Sequence, residues 1–319
     1  MTESKTEPTT HTGRGTGRVT GTDVVTVRVP AKVNVQLAVG AARPDGFHDL
    51  ANVFLAVGLY DEVTVTPADE LRITCEGPDA DQVPLDATNL AARAALELAR
   101  RYGVEPGVHL HIAKDIPVAG GMAGGSADGA GALLACDALW GTNASREELL
   151  DICAELGSDV PFSLVGGAAL GVGRGEQLRT LEVGGTFHWV FAIAERGLST
   201  PAVFREFDRM NEGVRIPDPV ASQELLDALA EGDAGALARA VSNDLQPAAL
   251  SLFPALADTL AAGRNAGALA ALVSGSGPTT AFLAADAESA RAVADALRAS
   301  GTCRTVRVTD GPAPGATVV

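Results

Sequence analysis

The sequence is poor in aromatic residues, cysteine and positive charge. Phe, Trp and Tyr make up 4% of the 319 residues, whereas hydrophobic residues make up 46%, so the core must be packed from Ala, Val and Leu. The four cysteines (Cys75, Cys136, Cys153 and Cys303) form no CxxC pair, which is typical of reduced, buried thiols. The net charge of −16 disfavours nucleic acid and anionic lipid as partners.

Long apolar runs are also missing. No stretch approaches the ~18 consecutive apolar residues of a membrane span, and residues 1–22 hold no apolar run of a secretory signal. We therefore expect a disordered leader at 1–22 and a cytoplasmic protein that acts on a small molecule, without nucleic acid or membrane partners. A monomer or loose homodimer is the expected assembly.

Strand and helix patterns are mixed without strict βαβ alternation, which predicts an α+β fold with two lobes rather than a doubly wound sheet. The breaks predict an N-terminal lobe at 23–185, a C-terminal lobe at 186–310 and a flexible tail at 311–319. Helices are predicted at 90–101, 126–139, 146–156, 219–230, 234–242, 252–262 and 287–299. Strands are predicted at 24–29, 33–39, 53–57, 62–66, 108–113, 189–194, 268–273, 279–283 and 305–309.

A glycine-rich segment between a predicted strand and a predicted helix is the strongest chemical signal. Its glycines let successive backbone N–H groups turn toward one point, and the helix that follows directs its positive end the same way, which favours bound phosphate. The segment has neither the GxxxxGK[ST] pattern of a Walker-A loop nor the GxGxxG spacing of a dinucleotide site. It consists of Pro117, Val118, Ala119, Gly120, Gly121, Met122, Ala123, Gly124, Gly125, Ser126 and Ala127.

Lys32 and Asn34 share one face of a predicted strand, where a cation and an amide suit an anion or a hydroxyl being activated. Asp159 follows a predicted helix end in an apolar setting, and a partly buried carboxylate needs a partner such as Lys32. Each residue alone is equally compatible with an ordinary role, as a solvated strand lysine or a turn-forming aspartate.

Phe47 and His48 place an aromatic ring beside an imidazole, which suits a flat heterocycle through stacking and a directional hydrogen bond, although Phe47 would also fit a core. His109 and His111 share a strand face without a matched third ligand, so a metal site is not expected there.

Four segments together resemble the family of galactokinase, homoserine kinase, mevalonate kinase and phosphomevalonate kinase. They are PAKVN at 30–34 running into RPDGFHDL at 43–50, PVAGGMAGGSA at 117–127, LGSDVPF at 156–162 and SGSGPT at 274–279. The resemblance covers roughly residues 25–309 and is greatest to the members that phosphorylate the 2-hydroxyl of 4-diphosphocytidyl-2-C-methyl-D-erythritol, a cytidine diphosphate derivative of methylerythritol in non-mevalonate isoprenoid synthesis.

The resemblance implies an N-terminal lobe like ribosomal protein S5 and a ferredoxin-like C-terminal lobe, with ATP between them and Mg²⁺ bridging its oxygens. It implies that Asp159 is the catalytic base and that Lys32 is its charge partner. The other implied contacts are Asn34 near the reacting hydroxyl, Phe47 and His48 at the cytosine, Thr200 and Phe204 at the cytidine, and Asn89 and Lys114 at the adenosine.

Two departures and two alternatives accompany this interpretation. The family commonly has Tyr where Phe47 stands, and its loop often ends in two Ser where this chain has Ser126 and Ala127. No metal ligand is assigned, since Asp128 is as readily the start of a helix. A sister kinase acting on homoserine or a mevalonate derivative would not need the aromatic–His pair, and a non-catalytic nucleotide-binding module would not need both Lys32 and Asp159.

Overall fold

The computed structural model describes residues 24–118 and 120–319. Its N-terminal half is a mixed sheet in which β1 and β2 are long antiparallel strands that pair with each other along most of their length. The first ten elements along the chain are β1 (Val25–Ala42), β2 (His48–Pro67), β3 (Arg72–Glu76), α1 (Leu90–Tyr102), β4 (Val108–Ala113), α2 (Gly124–Trp140), α3 (Arg146–Leu156), α4 (Val160–Val165), β5 (Ala168–Val172) and β6 (Gln177–Leu181).

The C-terminal half builds a four-stranded antiparallel sheet in the order β11-β7-β10-β9, covered by helices. Its elements are β7 (Phe187–Ile193), α5 (Thr200–Met210), α6 (Gln223–Glu231), α7 (Ala234–Ala240), β8 (Ser242–Asn243), α8 (Gln246–Leu252), α9 (Leu256–Asn265), β9 (Ala270–Val273), β10 (Thr280–Ala284), α10 (Ala287–Ser300), β11 (Thr305–Gly311) and β12 (Thr317–Val318). Two sheets with helices confirm the α+β prediction. In the part of the chain that the structure describes, no helix has the length and apolar character of a bilayer span.

Small side chains allow α2 to lie directly on β1 and β2. A Cβ atom at Gly131 would come within 2.8 Å of Val29 Cγ2 and 2.9 Å of Val63 Cγ2, so the close approach of helix and sheet requires glycine there. The neighbouring helix α1 buries mostly alanines against the same core. This is how a chain with few aromatic residues fills its interior at normal density.

Several boundaries differ from the sequence-based expectations. The strands predicted at 24–29 and 33–39 are the single strand β1, and those at 53–57 and 62–66 are the single strand β2, because register shifts in the β1–β2 pairing absorb the irregular positions instead of ending the strands. The helix predicted at 252–262 corresponds to α9 but begins later, at Leu256, since Phe253 is extended (φ −139°) before Pro254. The predictions omitted β3, α4, β5, β6, α5, β8, α8 and β12.

The tail at 311–319, which we expected to be flexible, is paired with the N-terminal sheet. Strand β12 lies antiparallel to β1, with Val318 opposite Val27, and Gly166 forms a bridge with Pro314. Backbone pairing, which the local sequence does not encode, orders this segment.

Candidate active site

A cavity of about 610 Å³ opens between the two halves of the molecule. Its walls are one face of β1 and β2, the start of α2, the turn before α4, helix α5 and the turn between β9 and β10. Thirteen of the twenty residues that we named as site candidates line this cavity, and they fall into two groups at opposite ends of the β2 face.

Lys32 and Asp159 lie together at one end. Lys32 Nζ is 3.4 Å from Asp159 Oδ2, 2.7 Å from Asn34 Oδ1 and 3.0 Å from the carbonyl oxygen of Gly121. The lysine is only 4% exposed, whereas the Asp159 side chain is 31% exposed, so the carboxylate faces the cavity. The proximity that we expected from the sequence is therefore present, with the ammonium group shared between the acid and the phosphate-loop backbone.

A second amide extends this group. Asn34 Nδ2 donates to Asn52 Oδ1 at 2.7 Å, which leaves Asn34 Oδ1 to accept from Lys32 and fixes the orientation of its amide. Sequence analysis did not identify Asn52. Its signal was its spacing on β2, because His48, Leu50 and Asn52 alternate onto one strand face and all line the cavity.

Asp159 is positioned by a tight helix-to-helix connection. Helix α3 ends at Leu156, and Asp159 is the residue immediately before α4, with Pro161 in the first turn of that helix. Ser163 donates its backbone N–H to Asp159 O at 3.2 Å, so the backbone begins the helix while the side chain makes no capping bond. The carboxylate is thus free to face Lys32.

The glycine-rich loop presents unpaired backbone donors to the same end. Helix α2 begins at Gly124, and its N-cap residue Ala123 is left-handed (φ 63°) and offers no side-chain acceptor. The N–H groups of Gly124, Gly125 and Ser126 belong to the first helical turn, which has no intrahelical acceptors. Together with the positive end of α2, these groups form an anion site.

The loop is anchored to both halves of the protein. The Gly121 carbonyl accepts from Lys32 Nζ and from Ser274 Oγ, each at 3.0 Å, and Thr279 N donates to Gly120 O at 3.3 Å. Gly121 has a φ of 75°, and a Cβ there would lie 2.2 Å from the Ser274 carbonyl oxygen, so only glycine fits.

Not every predicted loop residue lines the cavity. Gly120, Gly121, Ala123, Gly124, Gly125 and Ser126 do, whereas Pro117, Val118, Met122 and Ala127 do not, and Met122 and Ala127 are fully buried. Ala119 lies outside the described residues, as does the leader at 1–22. The buried members of the loop therefore act as packing anchors for the exposed ones.

An imidazole between aromatic rings forms the other end of the cavity. His48 is buried, its Nε2 lies 2.8 Å from Asp208 Oδ1, and its ring lies 5.0 Å from Phe204 and edge-on to Phe207. Because a carboxylate only accepts, Nε2 carries the proton and Nδ1 is the acceptor of the neutral ring. Sequence analysis did not identify Asp208, whose signal was its i,i+4 spacing from Phe204.

Phe47 and Thr200 complete this end. Phe47 is 49% exposed and lies beneath the guanidinium group of Arg174, with 5.1 Å between Cζ and the ring centroid. Thr200 Oγ1 lies 2.7 Å from Ser276 Oγ, which ties α5 to the turn at 274–277. Phe47 is therefore a cavity wall rather than a core residue.

Lys114, which we expected at the adenosine, is paired with two buried carboxylates. Its Nζ bonds to Asp61 Oδ2 and, at 3.0 Å, to Asp128 Oδ2, and it does not line the cavity. Burial, together with the nearby Asp61 carboxylate, raises the pKa of the Asp128 carboxyl to about 7 in spite of Lys114. Oδ1 of Asp128 has no hydrogen-bond partner among the described residues. These three side chains form a buried ionic cluster beneath Gly124, and Asp128 is not placed to reach a metal in the cavity.

Asn89, the other residue expected at the adenosine, bonds to the local backbone, and the adenosine role of both residues stays a prediction. Its Oδ1 accepts from Ala91 N at 2.8 Å as the N-cap of α1, and its Nδ2 donates to Pro84 O at 2.7 Å. Both ends of the amide are therefore used by the local backbone. His109 and His111 both contact the Thr74 hydroxyl, at 2.7 and 2.9 Å.

Two stretches of the chain match the two domains of a known protein family. Residues 89–167 match the family described as GHMP kinases N terminal domain, and residues 225–303 match GHMP kinases C terminal. The chain is 85% identical over 295 residues to the 4-diphosphocytidyl-2-C-methyl-D-erythritol kinase of Streptomyces avermitilis, covering 92% of this chain and 99% of the relative. It is 60% identical over 303 residues to the kinase of the same name from Thermobifida fusca, covering 92% and 98%.

Solved structures are similar over nearly the whole chain. A crystal structure of 4-(cytidine 5'-diphospho)-2C-methyl-D-erythritol kinase matches with a TM-score of 0.73 and 33% identity, covering 90% of this chain and 100% of that chain. The homoserine kinase from Cytophaga hutchinsonii matches with a TM-score of 0.72, covering 97% and 100%, but at 20% identity it shares the fold alone.

Proposed function

The chain belongs to the GHMP kinase family, among its 4-diphosphocytidyl-2-C-methyl-D-erythritol kinases, and we propose that it transfers the γ-phosphoryl group of ATP to the 2-hydroxyl of 4-diphosphocytidyl-2-C-methyl-D-erythritol. One observation carries the proposal. One face of the paired strands β1 and β2 joins a base-recognition end at His48 to a reacting end at Asn52, Asn34 and Lys32. A kinase for homoserine or a mevalonate derivative has no use for the first of these ends.

Asp159 is the base of the proposed reaction. Its exposed carboxylate accepts the proton of the substrate hydroxyl as that oxygen forms a bond to the γ-phosphorus, and the bond between the γ-phosphorus and the β,γ-bridging oxygen breaks to release ADP. Lys32, 3.4 Å away, pairs with the Asp159 carboxylate and stabilises the negative charge that develops on the transferring group.

The backbone amides at the start of α2 hold the ATP phosphates, because they are unpaired and lie beside the Lys32–Asp159 pair. Since the Gly121 carbonyl accepts from Lys32, the loop and the base are held at a fixed separation, and positioning provides most of the rate enhancement in phosphoryl transfer.

The cavity is compatible with Mg²⁺ that binds together with the nucleotide. Among residues 24–118 and 120–319 there is no cluster of three or more His, Cys, Asp or Glu side chains that would hold a metal by itself. A kinase site typically binds Mg²⁺ through substrate phosphates, waters and one or two protein oxygens, and the Ser126 hydroxyl and Asp159 carboxylate line the cavity. When bound, the ion would neutralise charge on the β- and γ-phosphates.

His48 and its neighbours recognise the cytosine. Nδ1 of His48 accepts from the 4-amino group, since Asp208 fixes the proton on Nε2. The ring of Phe204 lies beside the imidazole and the exposed ring of Phe47 is available for stacking, which gives the base two apolar surfaces. Phe47 provides the stacking surface without a phenol hydroxyl.

ADP release with Mg·ATP, measured against a panel of alcohols, tests the proposal. The panel contains 4-diphosphocytidyl-2-C-methyl-D-erythritol, methylerythritol phosphate, homoserine and mevalonate. We expect turnover with the cytidylyl compound alone. Turnover with homoserine or mevalonate instead would retain the kinase but reject the role of His48, and ATP binding without turnover of any compound would favour a non-catalytic module.

A further inference from the structure

Two arginines line the cavity without a close acidic partner. The nearest carboxylate oxygen to the Arg174 guanidinium is 4.0 Å away on Glu176, and in the part of the chain that the structure describes Arg205 takes part in no ion pair within that distance. The acids that line the cavity are already engaged, Asp159 with Lys32 and Asp208 with His48. In a protein with a net charge of −16, this placement of free positive charge needs an anionic occupant.

Arg174 lies at the level between the two ends of the site. Leu50 donates its backbone N–H to Gly173 O at 2.8 Å, so the turn between β5 and β6 is attached to β2 at the residue midway between His48 and Asn52. At ~3.3 Å per strand residue, those two positions are about 13 Å apart. The turn that carries Arg174 therefore lies beside β2, next to the span between the base and the reacting hydroxyl.

The side chain of Arg174 lines the cavity and is directed toward Phe47. Its guanidinium lies over the Phe47 ring at 5.1 Å, and its backbone N–H donates to Glu176 Oε2 at 2.8 Å, which fixes the turn. The Arg174 side chain is 38% exposed, so the guanidinium has donors left for a ligand.

Arg205 approaches from the opposite wall. On α5, Pro201, Phe204, Arg205 and Asp208 are spaced i, i+3, i+4 and i+7 and all line the cavity. Arg205 thus belongs to the helix face that carries the base-binding residues, across the cavity from the β5–β6 turn.

We propose that Arg174 and Arg205 form a diphosphate subsite, in which the two guanidinium groups grip the pyrophosphate linkage between the nucleoside and the reacting alcohol. The inference rests on the proposed function. That function assigns residues to the cytosine and to the reacting hydroxyl, and the subsite adds residues for the pyrophosphate between them. Guanidinium groups match phosphate oxygens with two parallel hydrogen bonds, and Lys32 is already committed to Asp159 and the Gly121 carbonyl. The subsite makes affinity depend on the phosphates that follow the nucleoside.

Competition by cytidine, cytidine monophosphate and cytidine diphosphate against the cytidylyl substrate tests the subsite. In wild-type protein, cytidine diphosphate should inhibit more strongly than cytidine. Arg174→Met and Arg205→Met should each weaken inhibition by cytidine diphosphate by about tenfold, leaving inhibition by cytidine, kcat and the KM for ATP nearly unchanged. Arg174→Lys should recover part of the loss, because it restores the charge without the planar fork.

Arg179→Met is the matched control, since Arg179 is an exposed arginine on β6 that does not line the cavity. An equal loss in this control would overturn the subsite, because a general change in net charge would explain it. Equal weakening of cytidine and cytidine diphosphate in Arg174→Met would also overturn it, because Arg174 would then act only through Phe47. If cytidine diphosphate inhibits the wild-type protein no more strongly than cytidine does, the subsite alone is overturned. If the wild-type protein fails to phosphorylate the cytidylyl substrate, the proposed function is overturned.

Discussion

Replacing Asp159 with asparagine separates catalysis from binding and folding. The amide has the shape of the carboxylate but cannot take a proton from the substrate hydroxyl. Loss of a general base lowers turnover by ~10²–10⁴-fold, which corresponds to about 3–5 kcal/mol of transition-state stabilisation. We expect kcat to fall in that range while the affinity for ATP stays near the wild-type value, because the loop amides and Lys32 remain.

Stability should change little in the same variant. The Asp159 side chain is 31% exposed, and Lys32 keeps Asn34 Oδ1 and the Gly121 carbonyl as acceptors. Ion pairs exposed to this extent contribute about 0–1 kcal/mol, so the melting temperature should fall by no more than a few degrees.

The assay is single-turnover formation of ADP at saturating substrates, with calorimetric titration of ATP and a thermal melt of each protein. Asp151→Asn, which changes an exposed carboxylate on α3, is the control and should behave as wild type. A loss of less than tenfold in Asp159→Asn, with the fold intact, would remove Asp159 from the role of base. A collapse in melting temperature would show that its role is structural.

Three further changes test other parts of the site. His48→Ala should raise the KM for the cytidylyl substrate by about 10–100-fold and leave the KM for ATP unchanged, since hydrogen bonding and stacking to the base are lost. An equal rise in KM for both substrates would indicate misfolding. Gly124→Ala should destabilise the fold by about 1–3 kcal/mol in a thermal melt, because its Cβ would lie 2.9 Å from Lys114 Nζ. Gly125→Ala should not, because its Cβ would meet no atom closer than 3.9 Å. Similar melting temperatures for the two variants would refute the close packing at Gly124. The pKa of Asp128 in the folded protein, about 7, lies above the usual range of an aspartate, so the stability contributed by its proton is present at low pH and is lost as pH rises through about 7. The melting temperature of Asp128→Asn relative to wild type should therefore increase between pH 5.5 and pH 8. A constant difference would refute the raised pKa.

Elements with strong local signals were predicted well. Asn89 caps α1 and Gly103 ends it in the left-handed conformation, close to the predicted bounds of 90–101. Strand β4 and helix α3 have the predicted limits at both ends. Capping, left-handed glycine and apolar periodicity act over a few residues, so they can be recognised in the local sequence.

The site was predicted in part, through its motifs. The Lys32–Asp159 pair, the loop amides and the aromatic–His pair followed from recognisable segments, whereas Asn52, Asp208, Arg174 and Arg205 have no motif of their own. Asp208 contacts His48 and Arg174 contacts Phe47, and in both cases the partner is far along the chain. Residue spacing gives the face of a strand or helix but not what lies opposite it.

The sequence by itself determined the composition of the core, the elements with strong end signals, the phosphate loop and the residue types of the reaction. The tertiary structure decided which lysine faces the cavity, because Lys32 and Lys114 both lie on or next to strands but only Lys114 is enclosed by two buried carboxylates. It also decided that the last residues complete the N-terminal sheet. Both outcomes depend on contacts between distant segments, whose free energy is gained only when the whole chain is packed.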